Sequence, residues 1–442
     1  MRKDRTAVLT ATLFVAAYGV LWLTGVTTMR HLIDNLVAAY FLSWGLYAFL
    51  SNLPRREICA RFVLASLVVV LTWGLAEMIG VIGLLDYRAL FAVSDGRLQW
   101  QAGYLPDDEL LYRHQPHYQQ KGIFLRGNIG EALCLPPHPD RVFDLRYDHR
   151  GFRNDRDLDR ADVVVVGDSY VESPMLPSSE LLTQVLADLN GQTVANLGVN
   201  GYGPEQELVV LKRYALDLKP KTIVWAFFEG NDLLQVVPED ESEFRADEEW
   251  RSGGWLDRLW MKSFMRNALY AARQSIQGCI PNRPAQEFRG VFRDNTGRAT
   301  ELFFWVLPRR LTGEDPARLE KLKAVLTEAY ALCQEQGIRF MVAFVPVKHR
   351  VHVGLPNFQP STERMRNVRI SDLPQQVREL IRSISPDITY VDLTGPLRAA
   401  AGSGALTYLQ DDTHWTSEGQ KVAGLAIHEA LEAERIRTAS RE

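Results

Sequence analysis

Three long apolar stretches fill the first 85 residues, at about 7–28, 32–53 and 62–85. Each reaches the roughly 20 residues that a helix needs to cross a bilayer. The first is longer than the roughly 7–15 residues of a signal-peptide core. The pattern therefore predicts three transmembrane helices over 1–85. Residues 86–160 follow with little periodicity and many Pro, Asp, Arg, His and aromatic residues. They read as an irregular connector packed on the main domain, with "YDHRGFRN" (147–154) as a strand-turn segment.

From residue 161 the pattern turns regular. "ADVVVVGD" (161–168) is a short apolar run between polar residues, hence a buried strand. A helix is expected over 180–191, ending on Gly191, and a strand over 192–198. A helix over 204–220 starts at Pro204 and stops at Pro220, and a strand covers 221–232. An insertion, 233–315, carries Trp250, Trp255, Trp260 and Trp305. It leaves the end of the third strand, and the expectation is a partial lid over the strand ends. The alternation resumes with a helix at 316–336, strand 339–347, helix 372–384, strand 388–393 and helix 417–434. Strands that are apolar throughout and alternate with helices predict an α/β domain, 161–435, whose parallel sheet is covered on both faces. No internal repeat is visible.

Charge adds orientation. Arg2, Lys3 and Arg5 precede the first stretch, and Arg55, Arg56 and Arg61 lie between the second and third, whereas only Arg30 separates the first two. The positive-inside rule then puts the N-terminus in the cytoplasm and everything after residue 85 across the inner (cytoplasmic) membrane. Glu77 is the one carboxylate well inside a stretch, toward its outer end, and an interfacial position is expected for it. A net charge of −4 gives no electrostatic case for nucleic acid. The four cysteines, Cys59, Cys134, Cys279 and Cys333, form no CxxC or Cys/His cluster, and His114, His117, His138 and His149 fit no metal spacing. No metal and no cofactor is expected. A Cys134–Cys279 bridge is one pairing open to an extracytoplasmic domain.

In open α/β sheets ligands bind outside the carboxyl ends of the strands. Those ends carry Asp168-Ser169, "NLGVNGYGP" (196–204) and "EGND" (229–232), while "DDTHW" (411–415) precedes the last helix. Singly these are ordinary turn residues. Together they supply a hydroxyl nucleophile, a backbone amide, a side-chain amide and an acid–imidazole pair, a full set for acyl transfer. The elbow Gly-x-Ser-x-Gly of another hydrolase fold is missing, because "GDSYV" ends on Val171. A dinucleotide site is disfavoured because "GYGPEQ" has Gln206 at its third glycine position.

The four blocks "GDS", "NLGVNG", "GND" and the Asp/His motif stand in the order of the SGNH (GDSL-type) hydrolase superfamily, which the chain resembles over roughly 161–232 and 316–434. The resemblance implies a three-layer, flavodoxin-like α/β/α fold. It implies Ser169 as nucleophile, His414 as general base, and an oxyanion hole from Ser169 N–H, Gly201 N–H and the Asn231 amide. A glycine at 201 would leave room for the approaching substrate oxygen. The triad acid is open between Asp411, by the usual Asp-x-x-His spacing, and Asp412, by the Asp-x-His-Trp spacing of a subset that includes periplasmic polysaccharide O-acetyltransferases; the Trp favours Asp412. The implied activity is that of a membrane-anchored serine esterase or deacetylase. Its partners would be an acylated carbohydrate or other ester, the lipid bilayer and envelope polysaccharide machinery. The alternatives are an O-acetyltransferase using the same residues and a non-catalytic scaffold.

Overall fold

The computed structural model describes residues 29–51, 53–85, 87, 90, 103–124, 126–133, 135–136, 138, 141–235, 262–277, 283–308 and 315–439. They fall in two compact units. One holds the described residues up to Ala102 and those between Gly253 and Pro281; the other holds Gly103–Ser252 and Asn282–Glu442.

The first unit contains helices Met29–Leu50, Arg55–Val81 and Phe264–Gln277. Pro54, extended at φ −65°, precedes Arg55–Val81, so the third apolar stretch turns helical earlier than its hydrophobic residues alone indicate. Val63, Leu64, Leu67, Val70 and Leu71 all point outward from it. Among the described residues it is the one helix long and apolar enough to cross a membrane. Of the second stretch, Tyr40–Leu50 is apolar but short, and the first stretch, 7–28, lies outside the described residues. Three such helices are therefore not seen. Glu77 has a structural task here. Its carboxylate accepts from Trp73 Nε1 (2.7 Å), Ser263 Oγ (3.1 Å) and the backbone N–H groups of Phe264 and Met265 (3.0 Å each). The first N–H groups of a helix have no partner within it. Glu77 satisfies two, and Ser263 Oγ takes a third from Arg266 N (3.1 Å). This cap ties part of the 233–315 insertion to the first unit.

The second unit is built on five parallel strands: β1 (Val163–Gly167), β2 (Val194–Gly198), β3 (Thr222–Phe228), β4 (Arg339–Val345) and β5 (Thr389–Asp392). Their order across the sheet is β2-β1-β3-β4-β5. β1, β3 and β4 are flanked on both sides, and side chains alternate between two buried layers. Val164, Val166, Ile223, Trp225, Phe340 and Val342 face helices Pro204–Val210, Asp315–Glu335 and Leu373–Ile384. Val163, Val165, Val224, Ala226, Met341 and Ala343 face helices Leu182–Asn190, Thr394–Gly402 and Ser417–Ala439. This double coverage explains why these strands read as unbroken apolar runs. The order reverses direction at β1, and the crevice at such a switch point is where α/β sheets bind ligands.

Two further features surround the carboxyl ends. The connector forms ladders Tyr104–Asp107 with Leu111–His114 and Gln119–Ile123 with Val142–Arg146, and a helix, Asn128–Leu133. Two insertion strands, Arg289–Arg293 and Ala299–Phe303, form an antiparallel sheet with Phe358–Pro360 from beyond the insertion. Phe304, Trp305 and Val306 then line a small cavity with Tyr170, Phe228, Val347, Lys348 and Thr413. This half of the insertion does reach the strand ends. Trp250, Trp255 and Trp260 lie outside the described residues, as do Cys134 and Cys279; Cys59 and Cys333 are free thiols.

Candidate active site

β1 stops at Gly167, which pairs with Gly198 of β2. The chain turns at Asp168, whose carboxylate accepts from Tyr170 N–H (2.9 Å), and enters the short helix Ser169–Glu172. That helix lies hard against β2. A Cβ on Gly198 would stand 2.5 Å from Glu172 N and 2.6 Å from Val171 Cβ, so only glycine fits there. Ser169 is thus held on a rigid element with its hydroxyl at the switch point.

The loop before the last helix meets it. His414 Nε2 lies 2.7 Å from Ser169 Oγ, and His414 Nδ1 lies 2.5 Å from Asp412 Oδ1. Asp412 Oδ1 also accepts from His414 N–H (2.9 Å), and Oδ2 accepts from Asn128 N–H (2.8 Å). A carboxylate can only accept, so Nδ1 carries the proton, and Nε2 is left to accept from the serine hydroxyl. Asp411 faces elsewhere. Its carboxylate takes Arg141 Nη1 (2.6 Å) and Gly127 N–H (2.8 Å), and its carbonyl takes Ile129 and Gly130 N–H. The geometry removes Asp411 as the partner of His414 and leaves Asp412.

Gly201 follows β2 and Asn231 follows β3, the two neighbours of β1. Gly201 has φ +83°, and a Cβ there would stand 2.6 Å from the Tyr112 hydroxyl. Backbone conformation and the connector each call for glycine here. Asn231 donates Nδ2 to Gln235 Oε1 (3.1 Å), and its side chain also helps hold Asp168 ionised.

Several supporting residues carry no motif. Glu172, one turn beyond Ser169, is fully buried and accepts from Tyr147 OH and from Asn200 N–H, the residue before Gly201; His114 Nε2 lies 2.9 Å away. Asn128 exchanges two bonds with Thr413: Nδ2 donates to Oγ1 (2.8 Å), and Oδ1 accepts from Thr413 N–H (3.1 Å). The connector therefore clamps both the Gly201 turn and the His414 loop. Its long-range partners leave no spacing in the sequence by which they could be found. Lys348 offered a faint signal, a charged residue straight after the apolar run 339–347.

Electrostatics follow from burial. Burial works against the His414 cation, but the adjacent Asp412 carboxylate outweighs it and raises His414 above its ordinary 6.5. Burial also opposes the Asp412 charge, yet His414 and the donated N–H groups hold it below the usual carboxylate range. Burial lifts Asp168 to about 6. Asp232 and Glu207, buried close behind it, are also pushed up, by burial first and then by the neighbouring carboxylates, Asp168 for Asp232 and both Asp232 and Asp168 for Glu207. Asp412 is the carboxylate held charged in direct contact with the imidazole. Among the described residues no cluster of three His, Cys, Asp or Glu could hold a metal.

Residues 304–442 match the family model described as "SGNH hydrolase-like domain, acetyltransferase AlgX". That segment of the chain is thus similar to an SGNH hydrolase-like domain. The matched segment includes the Asp412–His414 loop but not Ser169, Gly201 or Asn231. Among solved structures, the chain is similar to an acetyl xylan esterase, AlAXEase (12% identity, 61% of this chain and 98% of that chain, TM-score 0.33). It is also similar to a lipase/acylhydrolase from Enterococcus faecalis (14%, 61% and 95%, TM-score 0.30). A GDSL-like lipase from Bacteroides thetaiotaomicron VPI-5482 is a third (14%, 61% and 87%, TM-score 0.30). No curated protein matches the sequence. The SGNH blocks and the geometry agree on one point above all: the hydroxyl, imidazole and carboxylate form an unbroken line.

Proposed function

We propose that this protein is an SGNH-type serine acyl hydrolase acting on O-acyl esters of a cell-envelope or exported polysaccharide. The observation that carries the reading is the Asp412–His414–Ser169 chain, 2.5 and 2.7 Å between partners, at the β1 switch point. Ser169 Oγ attacks the acyl carbonyl while its proton passes to His414 Nε2. Asp412 holds the ring and stabilises the imidazolium. Ser169 N–H, Gly201 N–H and the Asn231 amide receive the oxyanion. Collapse expels the alcohol, which takes the proton from Nε2, and leaves acyl-Ser169. Water then gives its proton to Nε2 and attacks the acyl group, which frees the acid and restores the serine.

A second acceptor has one observation in its favour. The matching family model is described as an acetyltransferase. A saccharide hydroxyl in place of water would use the same acyl-enzyme and make this an O-acetyltransferase. Turnover of a small acetyl ester by the full-length protein in detergent, with and without an added oligosaccharide acceptor, separates the two. Free acetate alone supports the esterase and an acetylated saccharide supports the transferase. Absence of both, together with no fluorophosphonate labelling, leaves the scaffold reading.

The general base must be neutral to work, so kcat/KM for a neutral ester is expected to fall as pH drops through the raised His414 pKa. The midpoint should lie above 6.5. A midpoint below that value would contradict the role of the Asp412 charge.

We further infer that the N-terminal stretches anchor the protein in the inner membrane by three spans, N-terminus inside, with the SGNH domain across the membrane. The basic residues at 2–5 and 55–61 and the outward-facing apolar helix Arg55–Val81 support this. Alkaline phosphatase fused after residue 100 should be active; an inactive fusion in a stable, expressed protein reverses the orientation.

A further inference from the structure

Lys348 opens the helix Lys348–His352 just after β4, and it is 3% exposed. No carboxylate accepts from its ammonium among the described residues. Instead four backbone carbonyl oxygens lie within hydrogen-bond distance of Nζ and share its three N–H groups: Phe303 (2.8 Å), Leu409 (2.5 Å), Gln410 (3.1 Å) and Asp412 (3.0 Å). Three of these belong to the loop that carries the acid and the base. That loop is closed at its neck by Leu409 N–H to His414 O (3.0 Å) and by the Tyr408–Trp415 bridge. Its carbonyls turn inward and converge on one cation. The fourth carbonyl comes from the antiparallel sheet of the insertion, whose Phe303 N–H also bonds Gln410 O (2.9 Å). The Phe304 ring lies 5.4 Å from Nζ.

We propose that Lys348 is the positioning residue of the acid–base loop, its ammonium fixing the Asp412 backbone so that the side chain meets His414 Nδ1. The inference rests on the reading of Asp412, His414 and Ser169 as a triad and deepens it. The Asp412 carbonyl bonded to Lys348 and the Asp412 carboxylate bonded to His414 belong to one residue, so a shift of the first moves the second. No other side chain that can donate several hydrogen bonds reaches these carbonyls among the described residues. Carbonyls gathered without a donor would repel one another and leave buried acceptors unmet. Burial lowers the Lys348 pKa to about 7, while Asp412 and then Asp411 raise it and Arg141 lowers it. The surroundings select the cation all the same: a neutral amine has two N–H groups and a lone pair that would face carbonyl oxygen. Lys348 is not itself a nucleophile or base, because its nitrogen is enclosed by those acceptors. Lys348 also helps line the small cavity with Phe304, Trp305 and Val306.

The test uses the full-length protein in detergent and a small acetyl ester. Lys348→Met should lower kcat by about 100-fold, the effect of an ångström-scale misplacement, with KM changed less than about threefold. Fluorophosphonate labelling of Ser169 should slow in parallel. Lys348→Ala should behave likewise and regain activity in proportion to added n-propylammonium, but not with 1-propanol, which matches its shape without the charge. A merely structural lysine would not give that charge-dependent rescue. If Lys348→Met fails to fold, Lys348→Gln takes its place with the same expected split between kcat and KM. Unchanged kcat in the folded variant, or rescue by the alcohol as well as by the ammonium, overturns the proposal. Ser169→Ala is assayed beside them. If it is inactive while the Lys348 variants are not slowed, only this inference is lost; if it is fully active, the triad reading itself has failed.

Discussion

Ser169→Ala is expected to lose ester turnover by roughly 10⁴-fold or more and to lose fluorophosphonate labelling entirely. The fold should stand. The hydroxyl is buried and bonded to His414 Nε2 at 2.7 Å, and removing one such bond costs about 1 kcal/mol. Nothing else in the site can replace the lost oxygen. Tyr170 is the next hydroxyl along the same helix, but its OH is turned away and donates to the Thr413 carbonyl (2.6 Å). The check is a paired measurement on one preparation, kcat/KM for an acetyl ester beside the thermal melt. Undiminished turnover in a folded Ser169→Ala protein would remove the acyl-enzyme and with it the proposed function.

Asp412→Asn should come next in size, with kcat down by about 10⁴-fold. An amide facing Nδ1 with its NH2 group makes Nδ1 the acceptor and turns the Nε2 proton toward Ser169, which is the wrong tautomer for a base. Loss of the negative charge should also move the acid limb of the pH profile downward, since that charge is the main influence raising His414. Asp411→Asn separates the two neighbours. It breaks the bond to Arg141 (2.6 Å) and weakens the hold on Gly127, so the loss should be of stability, on the order of 3 kcal/mol, with the acid limb unmoved. A pH profile that shifts in Asp411→Asn and stays fixed in Asp412→Asn would exchange their roles.

The strands of the second unit were legible because each is buried on both faces. Val163–Val166, Ile223–Phe228 and Phe340–Val345 are apolar without a break, and no other arrangement hides such short runs so completely. The polar residues directly after them stood out for the same reason, and Ser169 was found this way. The final helix was also legible, though it runs to Ala439, and the stretch after Val210 widens to a longer-range turn over Leu211–Ala215 before tightening to Leu218.

Adjacent residues with the same chemistry were beyond periodicity. Asp411 and Asp412 sit side by side before one histidine, and sequence spacing admits either. The choice was made by Arg141 and Gly127, 270 and 284 residues away along the chain, which draw Asp411 out of the site. The connector was illegible because its strands are four or five residues long and its bonds run across the fold, from Asn128 to Thr413 and from Tyr147 to Glu172. Part of the insertion was tied to the first unit by one carboxylate, Glu77, capping a helix almost two hundred residues further on. Local pattern thus determined where the chain is buried and which chemical groups stand at the strand ends, because burial is written in consecutive residues. Which carboxylate meets the imidazole, what holds its loop and why Gly201 is glycine were decided only by tertiary structure, because those depend on atoms brought together from distant parts of the chain.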